Sequence, residues 1–201
     1  MKYLIILFAF LYAGTANVSA QDMTKDERKK AINMLENSRD QLLEDIRGLS
    51  DEQLNFKPDE TSWSIAECVE HITTTEDQFM TMLEKGLEEP ANPERRSEVK
   101  FDDNSVYKMI TDRSTKFKTS EPLEPTEKYG DFKSTLKAYK STRNNTLKYV
   151  RSSKDDLRNH YMAFPFGTVD MYQLLIFDAG HNMRHNEQIA EIMANPSFPK
   201  K

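Results

Sequence analysis

The sequence predicts an all-α protein, a four-helix bundle with a long crossover connection between the second and third helices. Three observations carry this expectation. Four long stretches repeat apolar residues at three- and four-residue spacing, no stretch shows convincing strand alternation, and no segment recurs at a fixed period.

Before the first helix the chain opens with Lys2 and the apolar run Tyr3-Leu4-Ile5-Ile6-Leu7-Phe8-Ala9-Phe10-Leu11-Tyr12, closed by Val18-Ser19-Ala20. A basic start, an apolar core and a small-residue exit make up a secretory signal peptide, so residues 1–20 are expected to be removed after Ala20. A membrane anchor needs about 20 apolar residues, and Gly14, Thr15 and Asn17 dilute this run well before that length. No cysteine lies near the exit to carry a lipid. The mature protein is expected to be periplasmic or secreted, with residues 21–201 forming one domain.

Within that domain, Met23 to Ile46 reads as the first helix, with Ile32, Leu35, Leu42, Leu43 and Ile46 close to helical spacing and Gly48 as its stop. The second begins at Ser64-Ile65-Ala66-Glu67, where Ser followed three residues later by Glu forms a capping box and Trp63 and Cys68 sit as a hydrophobic staple. Ile65, Cys68, Ile72, Phe79 and Leu83 continue its apolar seam to about Gly86. Two proline-bearing linkers follow, Glu89-Pro90-Ala91-Asn92-Pro93 and Glu121-Pro122-Leu123-Glu124-Pro125, with a short amphipathic helix from Asn104 to Lys116 between them. A connection of that length suits a crossover between helices that are not hairpin neighbours. The third helix is expected over Asp131 to Val150, carried by Phe132, Leu136, Tyr139, Leu147 and Val150. Phe164-Pro165-Phe166-Gly167 reads as a turn, and Thr168 as the N-cap of a last helix reaching Ala194 before Pro196.

The formal net charge of −5 becomes −6 once Lys2 leaves with the signal. Nucleic acid and anionic membrane are bound through clustered Lys and Arg, so neither is expected as a partner. A small-molecule substrate or ligand is expected instead, and a homodimer stays open. The single Cys68 cannot form an internal disulfide, and within its apolar pattern it reads as a buried hydrophobe.

Two of the four histidines, His181 and His185, lie one turn apart on the last helix and project from the same face. Leu174, Asp178, His181, His185, Gln188 and Ile192 form one stripe whose middle is polar and whose ends are apolar. Buried polar groups cost free energy without partners, and one metal ion satisfies two neutral imidazoles together. His181 is followed by Asn182 and not Glu, which removes the zincin motif, and neither histidine has the Glu-x-x-His spacing of di-iron bundles. A mononuclear site with a third ligand elsewhere remains. His71 is the natural third, because it comes to a similar height if the second and last helices run antiparallel. Three histidines with an open position have the makeup of a catalytic zinc site; imidazole also suits nickel, iron and copper.

Trp63-Ser64-Ile65-Ala66-Glu67-Cys68-Val69-Glu70-His71 resembles the Trp-Ser-x-x-Glu-x-x-x-His stretch of the DinB/YfiT-like superfamily. His181-Asn182-Met183-Arg184-His185-Asn186-Glu187-Gln188-Ile189 resembles its His-x-x-x-His-x-x-Gln-Ile stretch, and Phe164-Pro165-Phe166-Gly167 its glycine-containing turn. The likeness runs from Met23 to Met193. It implies a four-helix bundle whose histidine triad binds zinc or nickel, in a family that includes metal-dependent hydrolases and thiol-dependent transferases or isomerases. The expected export and the long linker from Glu88 to Thr126 depart from that pattern.

Asp178 and Gln188 flank the pair and can orient ligand imidazoles from behind, although a salt bridge or a core hydrogen bond explains each equally well. Glu67 belongs to the capping box. Glu70 and Glu187 adjoin ligands in sequence and so are expected to point away, His160 reads as a solvated loop residue, and Met171 and Met183 as packing. Two functions fit: a metal-dependent hydrolase or thiol transferase, with hydrolysis ahead because small thiol cofactors are chiefly cytoplasmic, or a noncatalytic metal- or ligand-binding protein of the cell envelope.

Overall fold

The computed structural model describes residues 21–115 and 118–200. The expected signal peptide and Lys116, the expected end of the crossover helix, lie outside them. In chain order the elements are α1 (Lys25–Asp45), α2 (Asp51–Asn55), α3 (Ile65–Glu88), a 3₁₀ turn (Pro93–Glu98), α4 (Asp103–Thr111), a second 3₁₀ turn (Glu121–Leu123), α5 (Phe132–Ser152), β1 (Tyr161–Phe164), β2 (Gly167–Asp170) and α6 (Met171–Met193).

Caps fix where the helices start. Thr24 with Glu27, Ser50 with Gln53 and Ser64 with Glu67 each form a complete capping box, in which the N-cap side chain and the third helical residue satisfy each other's backbone N–H. The long helices α1, α3, α5 and α6 make the bundle: α1 packs on α5 and α6, and α3 packs on the same two. Helices α3 and α6 are antiparallel, since His71 meets His185 while Phe79, further along α3, meets Phe177, earlier on α6. The crossover from α3 to α5 carries α4, which lies against α6. They approach closely at Gly180, where a β-carbon would collide with Ile110.

Three local expectations need correction. A short antiparallel hairpin pairs Tyr161 with Asp170 and Phe164 with Gly167, where no strand was expected. Four residues are too few for alternation to stand out, and Gly167, at φ 141°, supplies the backbone needed beside the turn. Thr168 is consequently committed to β2, and Asp170 caps α6 by accepting from the Gln173 N–H at 2.7 Å. Finally, α4 stops at Thr111: the Asp112 carboxylate takes the Ser114 N–H at 2.8 Å in a local turn that competes with further helix.

Among the described residues the interior has two apolar clusters. One gathers Leu35, Leu83, Leu147, Met171, Leu174 and Ile176, and the other Leu42, Ile65, Cys68, Ile72, Tyr139 and Ile189. Between them lies a buried polar layer containing Ser38, Glu76, Arg143, Thr146, Asp178 and Asn182. The three histidines stand on α3 and α6 beside the second cluster.

Candidate metal centre

His71 lies early in α3, where the box-capped N-terminus sets its rotation, and His181 and His185 lie mid-helix on α6. The structure brings all three together. Nε2 of His181 is 3.3 Å from Nε2 of His71 and 3.2 Å from Nε2 of His185. One nitrogen from each residue falls within 4.8 Å of the other two, so the cluster can hold a metal ion.

The outer ring nitrogens determine the tautomers. Nδ1–H of His71 donates to the Leu123 carbonyl at 2.8 Å, and Nδ1–H of His185 to Oε1 of Gln188 at 2.9 Å. Nδ1 of His181 lies 3.4 Å from Oγ1 of Thr75, whose own hydroxyl donates to the His71 carbonyl at 2.9 Å. Each Nδ1 thus carries its proton toward an acceptor, and three Nε2 lone pairs are turned on one another. Lone pairs crowded this way repel unless a cation lies among them. For tetrahedral zinc, with Zn–N of about 2.0–2.1 Å, ligand nitrogens stand about 3.3 Å apart, which the observed separations match. The donor set therefore fits a divalent cation.

Burial keeps these imidazoles neutral. It pulls His71 below the ordinary histidine range against the bond to Leu123, holds His181 well below it with help from the neighbouring histidines, and brings His185 to about 3. His71 and His185 are buried and His181 is partly exposed, so what contact the triad has with solvent lies on the His181 side. Trp63 lies over the covered side, its ring centroid 4.8 Å from that of His71 and 6.1 Å from that of His185.

Of the two supporting residues expected, Gln188 contacts a triad imidazole. Asp178 lies instead with Arg143, Oδ1 to Nη2 at 3.7 Å, and Arg143 Nε stands 2.8 Å from Oε1 of Glu76. This trio is wholly inside the bundle and holds two carboxyls for one guanidinium. Desolvation pushes Glu76 up to about 8 and raises Asp178 as well, against the pull of Arg143 in both cases. Arg143 sits four residues after Tyr139 and four before Leu147, on the stripe that faces the core, and that placement was its signal in the sequence.

Glu70 adjoins His71 in sequence and is expected to point away from the site. It does point away from the other histidines, but toward the crossover: its carboxylate accepts the backbone N–H groups of Thr126, Glu127 and Lys128 at 2.9, 3.1 and 2.8 Å. Glu127 takes φ 58°, which aims these successive amides at one acceptor. The strap that supplies the Leu123 carbonyl to His71 is thereby fastened beside it. Glu187 is exposed. His160 is half-buried, donates from Nδ1 to the Asp156 carbonyl at 2.6 Å, and lines a surface groove with Lys85 and Tyr161 at the far end of α3.

Comparison with known proteins agrees with the helical bundle. The family model of the DinB superfamily matches residues 34–189. The uncharacterized protein YuaE of Bacillus subtilis is 25% identical over 149 residues, covering 74% of this chain and 88% of YuaE. The solved structure of YfiT from Bacillus subtilis, described as a probable metal-dependent hydrolase with an unusual four-helix bundle topology, is similar with a TM-score of 0.59. That similarity comes at 14% identity and covers 90% of this chain and 94% of YfiT, so it speaks for a shared fold.

Proposed function

The chain belongs to the DinB superfamily, and on that premise we propose that it is an exported metal-dependent hydrolase, with His71, His181 and His185 holding one zinc or nickel ion. The observation that carries this reading is the convergence of three Nε2 lone pairs whose partner Nδ1 atoms all face acceptors. The description of YfiT as a "probable metal-dependent hydrolase" supports the same chemistry. What a divalent cation would supply there is Lewis-acid polarisation of a carbonyl and acidification of water.

The chain's own residues do the rest. Leu123, Thr75 and Gln188 fix the three tautomers, so the site is set before any ligand arrives. Trp63 shields His71 and His185 from water, which leaves a small molecule to approach past His181. Export favours hydrolysis over thiol transfer, because it separates the site from cytoplasmic thiol cofactors.

Trp63 is the one tryptophan of the chain, and it gives a readout independent of activity. Titrating metal-free protein with nickel, a paramagnetic quencher, should dim its emission at one equivalent, and His185→Ala should abolish the response. Elemental analysis and a screen of ester, amide and thiol-transfer substrates follow. Metal uptake without triad-dependent turnover would make the protein a binder; no uptake by the wild type would remove the metal centre altogether. The export proposal rests on the pattern of residues 2–20, and N-terminal sequencing of the protein recovered from a bacterial envelope or medium should begin at Gln21. A chain retained in the cytoplasm with its leader intact would overturn it.

A further inference from the structure

A row of phenylalanine rings runs from the hairpin to the open side of the histidine cluster. Phe79 on α3 stands edge-on to His181, centroids 5.7 Å apart, and edge-on to Phe177 of α6 at 5.5 Å. Phe177 in turn lies nearly parallel to Phe166 at the hairpin turn, 5.8 Å away with planes 9° apart, and close to Phe164 of β1 at 5.4 Å. Phe164 and Phe166 complete the group at 5.2 Å. All four phenylalanines are only half-buried, as is His181 where the row ends.

Half-exposed aromatic rings leave apolar area in water, a cost that a bound apolar group would remove. Sidedness gives the row its meaning. His71 and His185 are buried and shielded by Trp63, so a molecule reaching the cluster comes by His181, past Phe79 and Phe177. A polar head at the histidines then leaves its substituent against rings that present both faces and edges, the arrangement another aromatic ring prefers.

We propose that Phe79, Phe164, Phe166 and Phe177 form the subsite for an aryl group carried by the substrate, next to the carbonyl that engages the metal centre. The proposal names the substrate class for the reading above and rests on it. The hairpin then has a functional use: two residues apart at its turn, Phe164 and Phe166 extend the wall beyond what α3 and α6 reach alone.

The test compares benzohydroxamate with acetohydroxamate, two chelators with the same head and different tails, binding to zinc-loaded full-length protein by calorimetry. Zinc uptake is measured first and decides the metal centre on its own. Given uptake, benzohydroxamate should bind roughly tenfold more tightly, as expected for burying one ring. Phe166→Ala and Phe177→Ala should each shrink that ratio severalfold while leaving zinc uptake and acetohydroxamate binding as in the wild type. Phe166→Leu, which keeps apolar volume at an exposed turn, guards against a folding defect and should give an intermediate ratio. Equal binding of the two probes, or a ratio unmoved by the variants, would overturn the subsite and leave the metal centre standing. So would a switch in oligomeric state on Phe177→Ala with the ratio unchanged, which would assign the wall to a second copy of the chain. No zinc uptake would end both proposals.

Discussion

At the residue scale, the metal centre depends on which nitrogen of each imidazole carries the proton. His185 shows this most plainly. Its Nδ1–H is held by Gln188 one turn further along α6, and without that acceptor the ring is free to rotate or to place its proton on Nε2, where a metal would otherwise bind. Replacing such an orienting partner commonly costs about 10- to 100-fold in metal affinity. Gln188→Ala is therefore expected to weaken zinc binding by that factor in a competition titration with a chelator, with the helix content of the metal-free protein unchanged. An affinity equal to wild type would show that packing against Trp63 alone orients the ring. Gln188 was visible in the sequence as part of the polar stripe on the last helix. Thr75 and Leu123 were not, because nothing in the spacing of a threonine or a backbone carbonyl marks it as an imidazole partner.

At the element scale, the crossover works as a strap across α3. It is fastened by the three amides on Glu70 and by the Leu123 carbonyl on His71, and further back Arg184 donates to the carbonyls of Asp112 and Thr115. Glu70→Ala frees Thr126, Glu127 and Lys128 together. Hydrogen bonds to a charged group contribute about 1.5–3 kcal/mol each, so a loss of at least one such increment is expected on denaturant unfolding. Faster amide hydrogen exchange should appear at residues 123–128 first. Unchanged protection there would mean the strap is held by other contacts. Helix limits at this scale were legible at Ser64, where the capping box opens a periodic apolar run, but not at Ser50, whose box opens only five residues, too few for periodicity to show. They were misjudged where a longer-range pairing competed: Thr168 looks like a cap until the hairpin takes its backbone.

At the scale of the whole molecule, the bundle encloses charge. Glu76, Asp178 and Arg143 tie α3, α6 and α5 together between two apolar clusters, with Tyr139 and Thr146 facing the same group. Burial pushes the Glu76 carboxyl up to about 8 in the folded protein, from an ordinary value of about 4.5 in the unfolded chain. Between those values the folded state keeps a proton that the unfolded chain has released, so stability is full below the lower value and is lost as pH rises through the upper one. From about pH 7 to about pH 8.5 histidines are largely neutral in both states and drop out. Unfolding free energy should fall across that window, by at most about 1.4 kcal/mol per pH unit for one proton, and Glu76→Gln should flatten the slope. A wild-type slope equal to that of the variant would mean that the proton is not held at Glu76.

Local signals set the four long helices and the pairing of His181 with His185, because caps, periodicity and the i, i+4 spacing act within a turn or two and are written in adjacent residues. Tertiary structure decided what meets across the bundle. His71 and His181 are 110 positions apart, Leu123 reaches His71 from 52 positions away, and Arg143 enters a carboxyl pair drawn from two other helices. Those contacts depend on how the crossover lies and on how α3 turns about its axis against α6, and both are set by packing, which has no local signature in the chain.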